Sequence, residues 1–110
     1  MIEVYFQYRV HPAQVRAFEH AYGQTGPWVA LFKRHEGFIR TRFYRHKSDS
    51  HVYLTIDVWE SKEAYDRFRS ENAEEYRRLD AQLGMLKLEE LLLGYYEGDD
   101  EYRSPLDALA

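Results

Sequence analysis

The chain of 110 residues contains no cysteine. Disulfides, thiolate catalysis and cysteine-ligated zinc or iron–sulfur centres are therefore excluded, and the composition fits a reducing compartment. We expect a cytoplasmic protein. No apolar run approaches the roughly 20 residues that cross a bilayer, so no membrane partner is expected. The formal net charge is −4 and the basic residues are scattered, which argues against binding to nucleic acid.

Several recognisable catalytic and metal-binding patterns are also missing. The sequence has no phosphate-cradling glycine loop, no dinucleotide fingerprint and no serine–histidine–acid pattern, so phosphoryl transfer and nicotinamide chemistry are not supported. His46 and His51 stand at the two ends of a polar loop, but only Asp49 is close enough in sequence to be a third ligand. An exposed hairpin end is a better interpretation than a metal site, because a metal needs a full set of ligands.

Aromatic side chains are abundant: the chain has ten Tyr, six Phe and two Trp. A core of this size does not need so many. Surplus aromatic residues often line a pocket or an interface. We therefore expect a cavity or surface that binds a small hydrophobic or aromatic molecule.

Residues 52–59 form the pattern around which the rest of the chain is organised. Aliphatic side chains alternate there with aromatic or polar ones, which is typical of a strand with two different faces. The aliphatic row is Val52, Leu54, Ile56 and Val58, and the aromatic-polar row is Tyr53, Thr55, Asp57 and Trp59. Ser61 then supplies a helix cap. We expect the aliphatic row to lie under helices and the aromatic-polar row to lie on the other face of the sheet.

The remaining elements follow from similar alternation and from helical spacing of apolar residues. The predicted elements, in chain order, are a strand at 2–10, a helix ending at Gly23, a short helical segment after Pro27, a strand at 38–46, the strand at 52–59, a helix after Ser61, a helix from Asn72 to Gly84 and a strand at 88–96. Gly23 is expected to end its helix in a left-handed conformation, and Gly94 marks a bulge or a close backbone approach. The sequence does not show which side chains of the strand at 38–46 point toward the helices.

This order predicts a ferredoxin-like βαββαβ fold of the α+β class, with one antiparallel four-stranded sheet and helices on one face. Residues 1–98 would form this domain, and residues 99–110 an acidic tail that is frayed or laid on a partner. The helix-free face would carry the aromatic-polar row together with Tyr5, Gln7 and Arg9. Because such a face is too aromatic for water, we expect it to pack against a second copy and to enclose a cavity.

Four segments together resemble the antibiotic biosynthesis monooxygenase (ABM) family of the dimeric α+β barrel superfamily. They are the run DVWESKEAYDRF at 57–68, the strand before it, the early GPW segment at 26–28 and the closing strand from Glu90 to Gly94. The resemblance covers nearly the whole chain up to about Glu97. It implies a dimeric α+β barrel, and it implies the fold more strongly than the reaction. Family members with demonstrated activity oxidise polyketide phenols to quinones with dioxygen and no cofactor.

The resemblance also assigns positions within the site. In the phenol-oxidising members a strand Asn, a Trp, a helix Tyr and a later Arg surround the substrate. Trp59 and Tyr65 match the Trp and the Tyr, whereas Thr55 stands where the Asn would be. Leu79 falls near the Arg position, with Arg77 and Arg78 as candidate substitutes. Half of the family's set is therefore replaced by other residue types.

A haem-degrading branch of the family uses an Asn, a Trp and an iron-ligating His. Gln7, Phe68 and Arg78 occupy those places in this chain. Because the iron ligand is absent, the resemblance does not imply haem degradation. No cofactor is expected.

Asp57 is the candidate with the most specific reason for a catalytic role. Its neighbours Ile56 and Val58 indicate partial burial, which would raise the pKa of the carboxyl and make it a general base. The alternative is a structural ion pair with an arginine, since such pairs also perturb pKa values. The candidate arginines are Arg9, Arg40 and Arg42.

The aromatic candidates also have two interpretations each. Trp59 can line a ligand pocket or fill the core, and Tyr65 can contact a substrate or stack on the first helix. Tyr5 and Tyr53 can be hydrogen-bonding pocket walls or residues of a dimer interface. These two roles can coexist.

Our first hypothesis is a homodimeric, cofactor-independent monooxygenase for a small aromatic or polyketide-like substrate. Trp59, Tyr65 and Tyr53 would clamp the ring. Asp57 or Gln7 would orient or deprotonate a phenol, leaving an electron-rich anion for dioxygen. A second hypothesis is a non-catalytic dimer that binds a small hydrophobic ligand with the same residues, and a third is a structural dimer without a cavity.

Overall fold

The computed structural model describes residues 1–98, and the acidic tail predicted at 99–110 lies outside the described residues. The strands and α-helices are β1 (Ile2–Val10), α1 (Val15–Tyr22), α2 (Pro27–Lys33), β2 (Phe38–Arg45), β3 (Val52–Trp59), α3 (Lys62–Glu71), α4 (Ala73–Leu83) and β4 (Lys87–Glu97). Short 3-10 turns at Pro12–Gln14 and Gly84–Leu86 precede α1 and β4. Within residues 1–98, no helix is long and apolar enough to cross a membrane.

The four strands form one antiparallel sheet in the order β2-β3-β1-β4. β1 and β3 therefore occupy its centre. The helices cover one face, where Phe18, Phe32 and Phe68 pack in a common core with Val4 and Val10 of β1. The predicted ferredoxin-like α+β fold is confirmed.

The register of β1 against β3 shows that the predicted facing of β3 was wrong. Val4 lies opposite Asp57, and Tyr8 lies opposite Tyr53. Residues directly opposite each other point to the same side of a sheet. The aromatic-polar row of β3 therefore lies under the helices with the apolar row of β1. The aliphatic row of β3 shares the helix-free face with the polar side chains of β1.

Aromatic volume explains why this row lies inside. Aromatic side chains bury about 150–250 Å² each, more than Val or Ile, and dominate the energetics of the cores that contain them. Trp59 is fully buried, and its ring centroid lies 4.8–5.8 Å from those of Phe32, Phe38 and Phe68. Alternation in a sequence shows that a strand has two faces, but it does not show which one the helices cover.

The element boundaries agree with the sequence in two places and differ in one. Ser61 caps α3, because its hydroxyl accepts a hydrogen bond from the Ala64 amide at 3.0 Å. Gly94 has φ 144° at a register shift of β4 against β1, which confirms the predicted bulge. Gly23 has φ −81° and ψ −173°, so the left-handed cap expected for α1 is wrong and the chain leaves that helix in an extended conformation.

Candidate active site

A narrow cavity lies between the sheet and the helices, where aromatic side chains of α1, α2 and α4 meet polar side chains of the strands. Its lining residues are Phe6, Tyr8, Tyr22, Trp28, Val29, Phe32, Thr41, Thr55, Asp57, Tyr76 and Glu90. The space open to the centre of a water-sized molecule is about 20 Å³, just above what one buried water needs. This cavity belongs to a single chain and differs from the predicted space between two sheets.

Asp57 is buried in the wall of this cavity and is 7% exposed. Its Oδ1 accepts a hydrogen bond from Thr41 Oγ1 at 2.7 Å across the β2–β3 pair. Burial raises the pKa of Asp57 to about 7, although the hydrogen bond from Thr41 lowers it, because desolvation disfavours the charged carboxylate. A carboxyl with a pKa near neutrality can take up and release a proton at physiological pH, as a general base must.

The alternative interpretation of Asp57, an ion pair with a strand arginine, is wrong. Arg40 and Arg42 lie opposite residues of the aliphatic row of β3 and therefore point to the helix-free face. Arg9 does the same, and its guanidinium forms an ion pair with Asp49 at 3.3 Å. Among residues 1–98, Asp57 has no cationic side chain within 4.0 Å. Burial rather than pairing governs its ionisation.

Three further polar atoms of the cavity wall are buried without a hydrogen-bond partner in the part of the chain that the structure describes. They are the Tyr22 hydroxyl, Trp28 Nε1 and Thr55 Oγ1. An unpaired buried polar group costs about 1–3 kcal/mol. Trp28 Nε1 can only donate, whereas the two hydroxyls can donate or accept. Together with Asp57, these atoms suit a ligand that carries a hydroxyl group and a second oxygen.

The sequence model of the antibiotic biosynthesis monooxygenase family matches residues 1–81. The chain belongs to this family. Its fold is also that of a mutant of SnoaB, a cofactor-independent oxygenase from Streptomyces nogalater. The two share 23% identity with a TM-score of 0.71, over 94% of this chain and 96% of that one.

Two other solved structures show the same fold. A Bordetella bronchiseptica protein described as an antibiotic biosynthesis monooxygenase has a TM-score of 0.72 at 19% identity, over 89% of this chain and 96% of that chain. A Nitrosomonas europaea protein with the same description has a TM-score of 0.67 at 13% identity, over 89% and 98% of the respective chains. No curated protein matches the chain.

The cavity brings together two of the predicted site residues, Asp57 and Thr55. Trp59 and Tyr65, assigned to the substrate by the family resemblance, lie beside the cavity instead. The two rings are 5.6 Å apart, and Arg69 donates to the Tyr65 hydroxyl at 2.9 Å. Arg69 also lies 3.9 Å from the ring centroid of Tyr76, a lining residue. Trp59 and Tyr65 therefore do not line the cavity but pack behind its lining residues.

Tyr53 lies on the inner face of β3 but outside the cavity lining. Its hydroxyl donates to Glu19 Oε2 at 2.6 Å. Burial and this hydrogen bond raise the pKa of Tyr53 to about 12. Tyr53 therefore connects β3 to α1.

Tyr5 and Gln7 lie on the helix-free face of the sheet. The Tyr5 hydroxyl donates to Glu3 Oε1 at 2.9 Å, and its ring packs edge-on against that of Tyr96 at 4.8 Å. The predicted pairing of Gln7 with Asp57 in one site is wrong, because the two residues point to opposite sides of the sheet. This error follows directly from the wrong facing predicted for β3.

Sequence reasoning missed the aromatic part of this cavity. Trp28 belongs to the GPW segment, for which the sequence predicted only a short helical segment. Tyr22 and Tyr76 belong to helical stripes that are equally typical of ordinary core residues. Thr41 lies on the strand whose facing stayed open. A signal existed only for Trp28, since the GPW segment was part of the family resemblance.

His46 lies in the loop between β2 and β3. His46 Nδ1 accepts hydrogen bonds from the amides of Ser48 and Asp49, both at 3.0 Å. In residues 1–98 no three His, Cys, Asp or Glu side chains cluster as a metal site would require. His46 therefore shapes the turn of the hairpin.

Proposed function

We propose that this protein is a cofactor-independent monooxygenase, formed by residues 1–98, that oxidises a small aromatic or polyketide-like phenol with dioxygen. The observation that carries the proposal is the buried Asp57, with a pKa of about 7, in a wall of aromatic side chains. Membership of the ABM family supports the class of reaction.

In the proposed reaction Asp57 removes the hydroxyl proton of the phenol, which leaves an electron-rich phenolate. A ring carbon of the phenolate bonds to dioxygen and reduces it to a peroxide, which takes back the proton held by Asp57 and becomes a hydroperoxide. Loss of water from the hydroperoxide leaves a quinone, so dioxygen supplies both the new carbonyl oxygen and the water. Trp28 and Tyr22 would donate hydrogen bonds to the second oxygen of the substrate and hold the ring beside Asp57.

Substrate binding requires the cavity to widen, because ligand sites usually measure about 300–1,000 Å³. Apart from Phe6 on the central strand β1, which is partly exposed, the lining residues that are not buried are Tyr76, which is partly exposed, and Glu90, which is exposed. These two side chains belong to α4 and β4. We infer that the substrate reaches the cavity between those elements.

Oxygen consumption tests the proposal. Hydroxynaphthalenes and anthrones would be added in air while an oxygen electrode and quinone absorbance are followed. Asp57→Asn should lower kcat by at least about 100-fold, a usual contribution of a general base, with ligand affinity within a few fold. Asp66→Asn is the matched control, because Asp66 lies on the surface in an ion pair with Lys62, and its kcat should equal that of wild type.

The same experiment decides between this proposal and a non-catalytic binding protein. That alternative is favoured by Thr55 and Leu79, which stand where the family resemblance implied an Asn and an Arg. Tight phenol binding without oxygen consumption by the wild type would support the alternative and reject the enzyme. Unchanged turnover in Asp57→Asn would reject Asp57 as the base.

We further propose that the protein is a homodimer. β4 is an edge strand with large apolar side chains that are each more than 40% exposed: Leu88, Leu91, Leu92, Leu93, Tyr95 and Tyr96. An apolar edge strand of this length invites pairing. A second copy would cover this edge strand and its exposed apolar side chains.

The oligomeric state can be measured by analytical ultracentrifugation. Leu91 lies opposite Gln7 and therefore points to the helix-free face. Leu91→Glu should convert the dimer into a monomer. Met85→Glu, at a 77% exposed position outside β4, should leave the dimer intact. A monomeric wild type would reject the proposal.

A further inference from the structure

Helix α4 contributes the part of the cavity wall that lies next to the surface. Its Tyr76 lines the cavity and is partly exposed. The Tyr76 ring packs edge-on against that of Trp28, with 4.8 Å between the ring centroids. The exposed Arg69 of α3 lies over the same ring, 3.9 Å from its centroid. Because Trp28 is buried, Tyr76 separates the cavity from the surface at this point.

Burial holds α4 less firmly than the other three α-helices. Within residues 1–98 none of its residues is buried, whereas α1, α2 and α3 each bury three or four residues. Tyr76, Leu79 and Leu83 pack against the core but are only partly buried. Segments with few buried apolar contacts open locally at a lower free-energy cost than core segments do. Such an opening of α4 leaves the sheet and the other helices folded.

Ion pairs from two other elements hold α4 in place. Arg34, at the C-terminal end of α2, donates to both carboxylate oxygens of Glu75, at 2.7 and 3.2 Å. The Lys87 ammonium of β4 lies 3.4 Å from Asp80 Oδ1. Exposed ion pairs of this kind contribute little stability each, so they can break and form again. We call the Arg34–Glu75 and Lys87–Asp80 pairs the latches of α4.

Both ends of α4 are suited to act as hinges. Asn72 ends α3 and precedes α4, and its φ of −118° and ψ of 24° interrupt the helical geometry between them. Gly84 follows α4 directly, and a Cβ atom at Gly84 would meet nothing within 4 Å. Hinges are usually a few residues at the ends of such elements. α4 is therefore bounded by two positions that can absorb a rotation of the helix.

We propose that α4 is the lid of the cavity, which the two latches hold closed. The closed cavity offers the centre of a water-sized molecule only about 20 Å³, so a larger ligand requires it to open. Movement of Tyr76 away from Trp28 would open the cavity toward the gap between α4 and β4. The role of the lid in substrate entry rests on the function proposed above, whereas its opening is measured without substrate.

Hydrogen exchange of backbone amides, followed by mass spectrometry, measures the opening of α4. The double variant Arg34→Gln/Lys87→Gln removes both latches and leaves the sequence of α4 unchanged. Its amides at 73–83 should exchange at least about threefold faster than in wild type, because each lost ion pair slightly lowers the cost of opening. In wild type these amides should exchange faster than those of the central strand β1.

Exchange of the Trp28 indole N–H tests whether this opening uncovers the cavity. Trp28 Nε1 is buried and has no hydrogen-bond partner among residues 1–98, so its exchange with solvent requires the cavity to open. Nuclear magnetic resonance of protein labelled with 15N-tryptophan follows this proton, and Trp28→Phe assigns its signal. The latch variant should accelerate its exchange by the same factor as that of the α4 amides, since one opening exposes both.

The matched control is Arg9→Gln/Lys62→Gln, which removes the Arg9–Asp49 and Lys62–Asp66 ion pairs. Neither pair involves α4, so both stay intact when the lid opens and exchange in α4 should keep its wild-type rate. Unchanged exchange in the latch variant, or equal acceleration in the control, would overturn the proposal. Faster exchange of the α4 amides without faster exchange of the Trp28 indole would do the same. Lack of oxygen consumption would instead reject the proposed function and leave the lid standing.

Discussion

Replacing Asp57 with Asn should stabilise the protein, and the gain should grow as the pH rises. Asp57 is buried and has a hydroxyl rather than a cation as its partner. Ionisation in the folded state therefore costs free energy that ionisation in the unfolded chain does not. Asparagine has nearly the same shape and cannot ionise.

The magnitude follows from the pKa of Asp57, which burial raises from 3.8 to about 7. At 1.36 kcal/mol per pH unit, the folded wild type loses about 4 kcal/mol of stability once the pH exceeds about 7. The sign is that of a raised carboxyl pKa: the folded state binds the proton more tightly, so stability falls as the pH rises from about 4 to about 7. Above that range the loss is constant.

Urea unfolding of wild type and Asp57→Asn at about pH 5 and about pH 8 measures this effect. The stability difference between the two proteins should increase by about 3 kcal/mol between these pH values, since two of the pH units lie below the folded pKa. Any cost of burying the amide is the same at both pH values and cancels. An equal difference at both pH values would show that Asp57 has its ordinary pKa and that the burial argument is incorrect. Both proteins must be compared at one concentration, because association adds to stability.

Three further predictions concern single side chains. Thr41→Val removes the hydrogen bond that lowers the pKa of Asp57, so the Asp57 carboxyl should titrate above about pH 7 in an infrared titration; an unchanged midpoint would count against the bond. Trp59→Ala should lower the free energy of unfolding by about 3–5 kcal/mol, the usual loss for a buried aromatic residue, because Trp59 is fully buried among aromatic rings. A loss below about 1 kcal/mol in urea unfolding would place Trp59 outside the core. Ser61→Ala should lower the free energy of unfolding by about 1 kcal/mol, because it removes the cap of α3. Ser61→Asp should keep most of this stability, since Asp also caps helices; equal losses in the two variants would contradict the capping role.

The family and the element order could be predicted from residue patterns, because period-two alternation, helical spacing and punctuation by Gly, Pro and Ser are local properties. Asp57 and Thr55 could also be selected, since a carboxyl between Ile56 and Val58 on a central strand is buried whichever face it occupies. The prediction that Asp57 is buried and has a raised pKa was therefore hardly affected by the wrong facing predicted for β3.

The rest of the site was decided by tertiary structure. The register of β1 against β3 placed Asp57 under the helices with Tyr8 and separated it from Gln7, and a one-residue change of register would reverse that outcome. The cavity then takes Tyr22 and Trp28 from the first pair of helices, Tyr76 from α4 and Glu90 from β4. The sequence by itself determined which elements form and which carboxyl is buried, because both depend on neighbouring residues. Only the packing of the helices on one face decided which side chains surround that carboxyl, because residues so distant in sequence meet through the fold alone.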